Sequence, residues 1–178
     1  MTTQTLISGF GGQGVLFAGK FLAFKGLVED KEVSWLPSYG PEMRGGTASC
    51  GVILSDEPVG SPIVSNPDVL IAMNLPSLDR YENDTVSGGS IFVDSTLVSR
   101  KVNRDDVKAF YIPATQMAID AGVPTLANMI LIGKMIKETG IFSFDDMIDT
   151  VKKLVPAKKQ ELVEKNMLAL EAGYNYKD

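Results

Sequence analysis

The stretch Thr5-Leu6-Ile7-Ser8-Gly9-Phe10-Gly11-Gly12-Gln13-Gly14-Val15 decides the fold. Thr5–Ser8 reads as a short apolar strand, and Val15–Val28 reads as a helix. Strand, glycine turn and helix in that order build a pocket for an anion. The first N–H groups of a helix have no partner inside it, and the helix dipole favours negative charge there. Gly9 permits the tight turn, Gly11 lets a phosphate approach the backbone, and Gly14 lets the helix lie close to the strand. The spacing fits the dinucleotide fingerprint, a weak signal alone that gains weight from the flanking elements.

Working outward, the helix carries two stripes. Val15, Ala18, Gly19, Leu22, Ala23 and Gly26 form a small-residue face suited to a sheet. Phe17, Phe21, Phe24 and Val28 recur on the opposite side, which calls for a second cover from this chain or another. Glu32–Leu36 is the second strand, and the following Pro37-Ser38-Tyr39-Gly40-Pro41 fits neither helix nor central strand. Thr47–Leu54, Val69–Met73, Ser90–Val93 and Lys108–Ile112 are further strands, with a short helix near Pro76–Tyr81. The alternation predicts an α/β fold: a doubly wound, mostly parallel, Rossmann-like sheet with helices on both faces. The chain then turns helical. Ala127–Lys137 ends at Gly140, Phe144–Val155 opens on a Ser143/Asp146 capping pair, and Lys158–Ala172 ends at Gly173. No linker or repeat interrupts the sequence, so residues 1–178 read as a single domain with C-terminal helices over about 141–174.

Composition narrows the chemistry. The 178 residues suffice for a sizeable core, and 44% hydrophobic with 22% charged residues is ordinary for a globular protein. A net charge of −5 without a basic block argues against nucleic acid. With no targeting segment and no long apolar run, a cytoplasmic chain without a membrane role is expected. There is no histidine, which excludes a Ser-His-Asp or Cys-His mechanism. The single Cys50 excludes an internal disulfide and a cysteine-built zinc or iron–sulfur site within one chain. No catalytic or metal-ligating set is therefore expected here; the chemistry belongs to a cofactor or a partner.

A second cluster, Ser38-Tyr39-Gly40-Pro41-Glu42-Met43-Arg44-Gly45-Gly46-Thr47, follows the second strand and so belongs at the same sheet edge as the glycine loop. Arg44 presents a planar fork suited to phosphate or carboxylate, Glu42 can orient it, and Gly45 with Gly46 admits close approach. A nicotinamide dinucleotide would want an acid at the end of the second strand; Ser34-Trp35-Leu36-Pro37 stands there instead, while Glu29, Asp30 and Glu32 lie before it. Asn128, in the first turn of the apolar helix, is either a local cap or a donor to a ligand, and Thr125 is a candidate N-cap. Cys50 and Trp35 read as core, and Lys152, Lys153, Lys158 and Lys159 as a solvated face.

The two glycine-bearing motifs, with Ser61-Pro62-Ile63 and Ala127-Asn128-Met129, resemble the gamma subunits of 2-oxoacid:ferredoxin oxidoreductases over nearly the whole chain. The 2-oxoglutarate type is the nearest match, with branched-chain 2-oxoacids close behind. The resemblance implies a companion subunit in an enzyme that decarboxylates a 2-oxoacid, reduces ferredoxin and forms an acyl-CoA. It implies coenzyme A at this subunit, with thiamine diphosphate, magnesium and iron–sulfur clusters on alpha, beta and ferredoxin-like delta partners. The cofactor-contacting set is then Gly9, Gly11, Gly12, Gln13, Gly14, Ser38, Tyr39, Glu42, Arg44, Gly45 and Asn128. Two alternatives remain at this point: a stand-alone dinucleotide-dependent oxidoreductase, and a purely structural subunit with an empty loop.

Overall fold

The computed structural model describes residues 1–38 and 47–178. Among the described residues, six strands form one sheet in the order β2-β3-β1-β4-β5-β6. They are β1 Thr2–Gly9, β2 Glu32–Ser38, β3 Ala48–Ser55, β4 Val69–Ala72, β5 Ser90–Asp94 and β6 Lys108–Ile112. From β1 to β6 each pairing is parallel. β3 runs antiparallel to both β1 and β2, so β2 points the same way as β1. The mostly parallel, doubly wound reading holds, with β3 as the one reversed strand. Pro37 lies inside β2, which is tolerated because β2 is an edge strand.

The helices are α1 Val15–Val28, α2 Leu75–Tyr81, α3 Ala114–Asp120, α4 Ala127–Thr139, α5 Met147–Leu154 and α6 Gln160–Asn175. They cover both faces unequally. On one face, α1 and α3 to α6 enclose a large core around Ile7, Phe21, Phe92 and Met129. On the other, α2 and irregular segments pack Leu78, Val98 and Val64 over Leu6, Leu70 and Ile91.

The phenylalanine stripe of α1 is covered by this chain itself. Phe21 is fully buried and Phe17 packs against the same core. Lys25 is buried beside them, pairing with Glu29 at 2.8 Å and lying over the Phe142 ring. The cover is partial: α5 packs on α1, while Phe24 stays partly exposed and Val28 is 43% exposed. Trp35 departs from expectation in the other direction. It is 39% exposed at the sheet edge, because an edge strand has a neighbour on one side only.

In the C-terminal helices α4 starts at Ala127 as expected, while the start of α5, the cap of α4 and the end of α6 differ from expectation. α5 begins at Met147 and no side-chain bond caps it; the Ser143 hydroxyl accepts from the Asp145 N–H instead, so the Ser143/Asp146 pair makes a local turn. Thr125 is exposed, and α4 starts after Leu126 without a side-chain cap. Gly173 does not terminate α6. It sits within that helix against the Ile130 backbone, while Gly133 of α4 lies against Leu170 and Tyr174. The two glycines let α4 and α6 touch backbone to backbone, so α6 runs on to Asn175.

Candidate functional site

The glycine loop stands at the carboxyl edge of the sheet, between β1 and α1. Gly12 has φ 90° and Gly14 has φ 76°, left-handed values that side chains resist, so these two positions require glycine for the turn itself. Among the described residues, no hydrogen bond uses the N–H of Gly11, Gly12, Gly14 or Val15. The first turn of α1 carries no acid, and neither does that of α4. Neither first turn therefore carries a side-chain charge that would offset the positive end of its dipole.

Two open cavities flank the loop. One of about 340 Å³ is lined by Phe10, Gly11, Val15, Leu16, Phe17 and Ala48. The other, about 180 Å³, lies over the ends of β1 and β4 and is lined by Gly12, Gln13, Met73, Leu97, Thr115 and Thr125 among others. The chain leaves β1 toward β2 on one side and enters β4 on the other side. The smaller cavity thus occupies the switch-point crevice where open α/β sheets hold ligands. Asp94, at the end of β5, is fully buried. The Thr115 hydroxyl donates to its carboxylate at 2.6 Å, and the Thr96 and Thr115 N–H groups also donate.

The expected site residues divide into groups. Gly11 and Gly12 are exposed on the loop. Ser38 closes β2 in register with Ser49, which is in register with Ser8; the end of β2 therefore lies at the same edge as the loop. Tyr39, Glu42, Arg44 and Gly45 fall outside the described residues. Gln13 and Asn128 do not present free amides to a ligand. The Gln13 Oε1 accepts the Phe10 N–H at 2.6 Å and its Nε2 donates to the Met73 carbonyl at 3.1 Å. Asn128 is buried; its Nδ2 donates to the Gly14 carbonyl at 3.0 Å and its Oδ1 accepts the Met129 N–H at 2.9 Å. The Cβ side of Gly9 faces Gln13 and Met73 and that of Gly14 faces Asn128, although Gly14 also lines the larger cavity. The helix-to-sheet approach assigned to Gly14 is made by Gly19 against Cys50 and by Gly26 against Leu54. The Ser61-Pro62-Ile63 motif is far from the loop, bordering a cavity of about 310 Å³ with Thr2, Gln4 and Ser55.

Sequence reasoning missed α3, which brings Thr115 to the crevice. Only the isolated Pro113 before Ala114 signalled it. Among the described residues there is no cluster of three metal-ligating side chains.

The family described as Pyruvate ferredoxin/flavodoxin oxidoreductase matches residues 4–176. The chain belongs to this family. It is 44% identical over 168 residues to ketoisovalerate oxidoreductase subunit VorA of Methanothermobacter thermautotrophicus, covering 94% of this chain and 35% of VorA. The chain thus spans about a third of the length of that relative. It is 37% identical to 2-oxoglutarate synthase subunit KorC of Methanocaldococcus jannaschii, covering 98% of this chain and 93% of KorC. Its fold is that of the family's gamma subunits. The keto/oxoacid ferredoxin oxidoreductase gamma subunit of Geobacter sulfurreducens superposes with a TM-score of 0.83 at 30% identity, over 97% of this chain and 96% of that one. A 2-oxoglutarate:ferredoxin oxidoreductase from Magnetococcus marinus, solved with 2-oxoglutarate, coenzyme A and succinyl-CoA bound, shares the fold at 22% identity. Its TM-score is 0.85, over 97% of this chain and 30% of that chain. No helix among the described residues is long and apolar enough to cross a membrane.

Proposed function

We propose that this chain is the gamma subunit of a 2-oxoacid:ferredoxin oxidoreductase and that its glycine-loop edge holds the phosphates of coenzyme A. The observation that carries the reading is the loop itself: glycine N–H groups without described partners at the start of α1, on the switch-point crevice, in a chain of this family. Such a loop binds an anion without a charged side chain, because the amides and the dipole already point at it. Arg44, at the same edge by sequence, supplies a charge-assisted contact to the same group. The named substrates of the relatives support a 2-oxoacid: ketoisovalerate and 2-oxoglutarate in relatives of 44% and 37% identity, pyruvate in one of 30%. The bound coenzyme A of the Magnetococcus enzyme supports the carrier. We assign the iron–sulfur clusters to partner chains because one cysteine cannot hold a cluster, and thiamine diphosphate with magnesium because the sequence has no Gly-Asp-Gly run of the kind that opens such a site.

The dinucleotide alternative loses ground on topology. In a nicotinamide-binding sheet the acid that clamps the ribose ends the strand beside β1. Here β3 takes that place and runs the opposite way, which moves the end of β2 two strand spacings from β1, about 9.5 Å. No acid stands there in any case; Pro37 and Ser38 do.

Titration of the complex with coenzyme A and, separately, NADH tests the reading. Saturable coenzyme A binding that Gly11→Asp abolishes is expected, because the new carboxylate meets the pyrophosphate. Tight NADH binding with no response to coenzyme A would sink it.

A further inference from the structure

We propose that Gln13 and Asn128 are positioning residues: two carboxamides that lock the two ends of the glycine loop so that its middle amides stay aimed at the ligand. The inference rests on the coenzyme A reading and deepens it, since it moves both side chains from contacting the ligand to holding the loop that contacts it.

The bonding pattern suits a carboxamide at each place. Gln13 receives a donor, the Phe10 N–H, and faces an acceptor, the Met73 carbonyl. A group with one C=O and one N–H₂ on a side chain of this length satisfies both, and the two partners fix which way the amide points. Its bridge ties the loop's first turn to the end of β4, across the mouth of the β1–β4 crevice. Asn128 does the same at the other end. Its Nδ2 reaches from α4 to the Gly14 carbonyl, which already accepts the Ala18 N–H of α1, and its Oδ1 is held by the Met129 N–H.

The glycines at the loop's two ends are shaped for these side chains. A Cβ on Gly9 would lie 2.6 Å from Gln13 Oε1 and 2.9 Å from Met73 Cβ. A Cβ on Gly14 would collide with the Asn128 carboxamide. Gly9 with Gln13, and Gly14 with Asn128, are therefore two seats with their occupants. Between them lie Gly11 and Gly12, which are exposed, and no atom would crowd a Cβ on Gly12. The two ends are fastened and the middle is left for the ligand. A loop fixed before binding loses less conformational freedom on binding, so the locks act on affinity.

The test uses the assembled complex and has two readouts. Hydrogen exchange of the peptide spanning Phe10 to Val15 reports the locks directly. Steady-state kinetics with coenzyme A and with dephospho-coenzyme A report their effect. Gln13→Ala and Asn128→Ala are each expected to speed exchange of that peptide. Each is also expected to raise KM for both carriers by the same factor, about five- to thirtyfold, with kcat within about twofold. Gln13→Glu is the isosteric second variant: it keeps the acceptor for Phe10 but cannot donate to Met73, and the same two changes are expected. Unchanged exchange in all three variants overturns the proposal. So does a KM rise confined to one of the two carriers, which would make the side chain a ligand contact. Faster exchange with unchanged KM also overturns it, provided Gly11→Asp still raises KM. If Gly11→Asp leaves KM unchanged as well, the coenzyme A reading itself has failed.

Discussion

At the scale of single residues, charge and burial give three expectations. Cys50 is enclosed in β3, and burial pushes its thiol up to about 11, with the Trp35 indole as a lesser opposing influence. The native chain is expected to be inert to thiol reagents at pH 8 and to react with one equivalent once unfolded, as read by Ellman absorbance. Asp56 is held down to about 2 by its bond to Lys31. A depressed carboxylate stabilises the fold fully above its ordinary value near 3.8 and ceases to do so as pH falls through about 2. Thermal melts between pH 5 and pH 2, over roughly that range, are expected to converge for wild type and Asp56→Asn at the acid end, with a small gap at the top because the pair is solvated. Arg44→Ala in the complex is expected to raise KM for coenzyme A about ten- to hundredfold, the loss of one charge-assisted bond worth about 1.5–3 kcal/mol, with assembly intact by native mass spectrometry.

At the scale of elements, the contact between α4 and α6 is the most demanding. Gly133 and Gly173 bring two helix backbones together with no room for a methyl group. Gly173→Ala is expected to cost at least the usual overpacking penalty of about 1–3 kcal/mol, and to lower Tm by about 3–10 °C in calorimetry. A glycine near the end of an amphipathic run reads as a C-cap from sequence; only the neighbouring helix reveals it as a contact, and the residue it meets there, Ile130, is distant in the chain. The same reason limits what could be read at the site. β1, α1, α4 and the short buried strands were legible because periodicity and glycine spacing are local signals. The roles of Gln13 and Asn128 were not. Their partners, Met73 and Gly14, come into reach only when the sheet and α4 are assembled. α3 was missed because seven residues after a proline are too few for a periodic pattern.

At the scale of the whole molecule, the helices are shared out unevenly between the faces, and the glycine loop lies at the edge where both layers end. An ionic cluster remote from it joins Glu82, Arg100 and Arg104. Glu82 is buried and takes two bonds from Arg100 and one from the Asn103 N–H, while Arg104 reaches the Glu82 and Thr85 carbonyls. This cluster ties residues 100–104 to the end of α2. The isolated chain is accordingly expected to show no thiamine-dependent oxidation of a 2-oxoacid and no iron–sulfur absorbance; either signal from the purified chain alone would contradict a companion role.

The reversed strand β3 has a consequence for how such chains diversify. Because β3 runs antiparallel to β1 and β2, the end of β2 and the start of β3, which bracket residues 39–46 in sequence, lie at the glycine-loop end of the sheet. Substitutions confined to that span are expected to leave the β2–β3 and β1–β3 pairings intact. Grafting the matching span from the ketoisovalerate or 2-oxoglutarate relatives should therefore leave the melting curve in place while shifting how tightly the carrier is held.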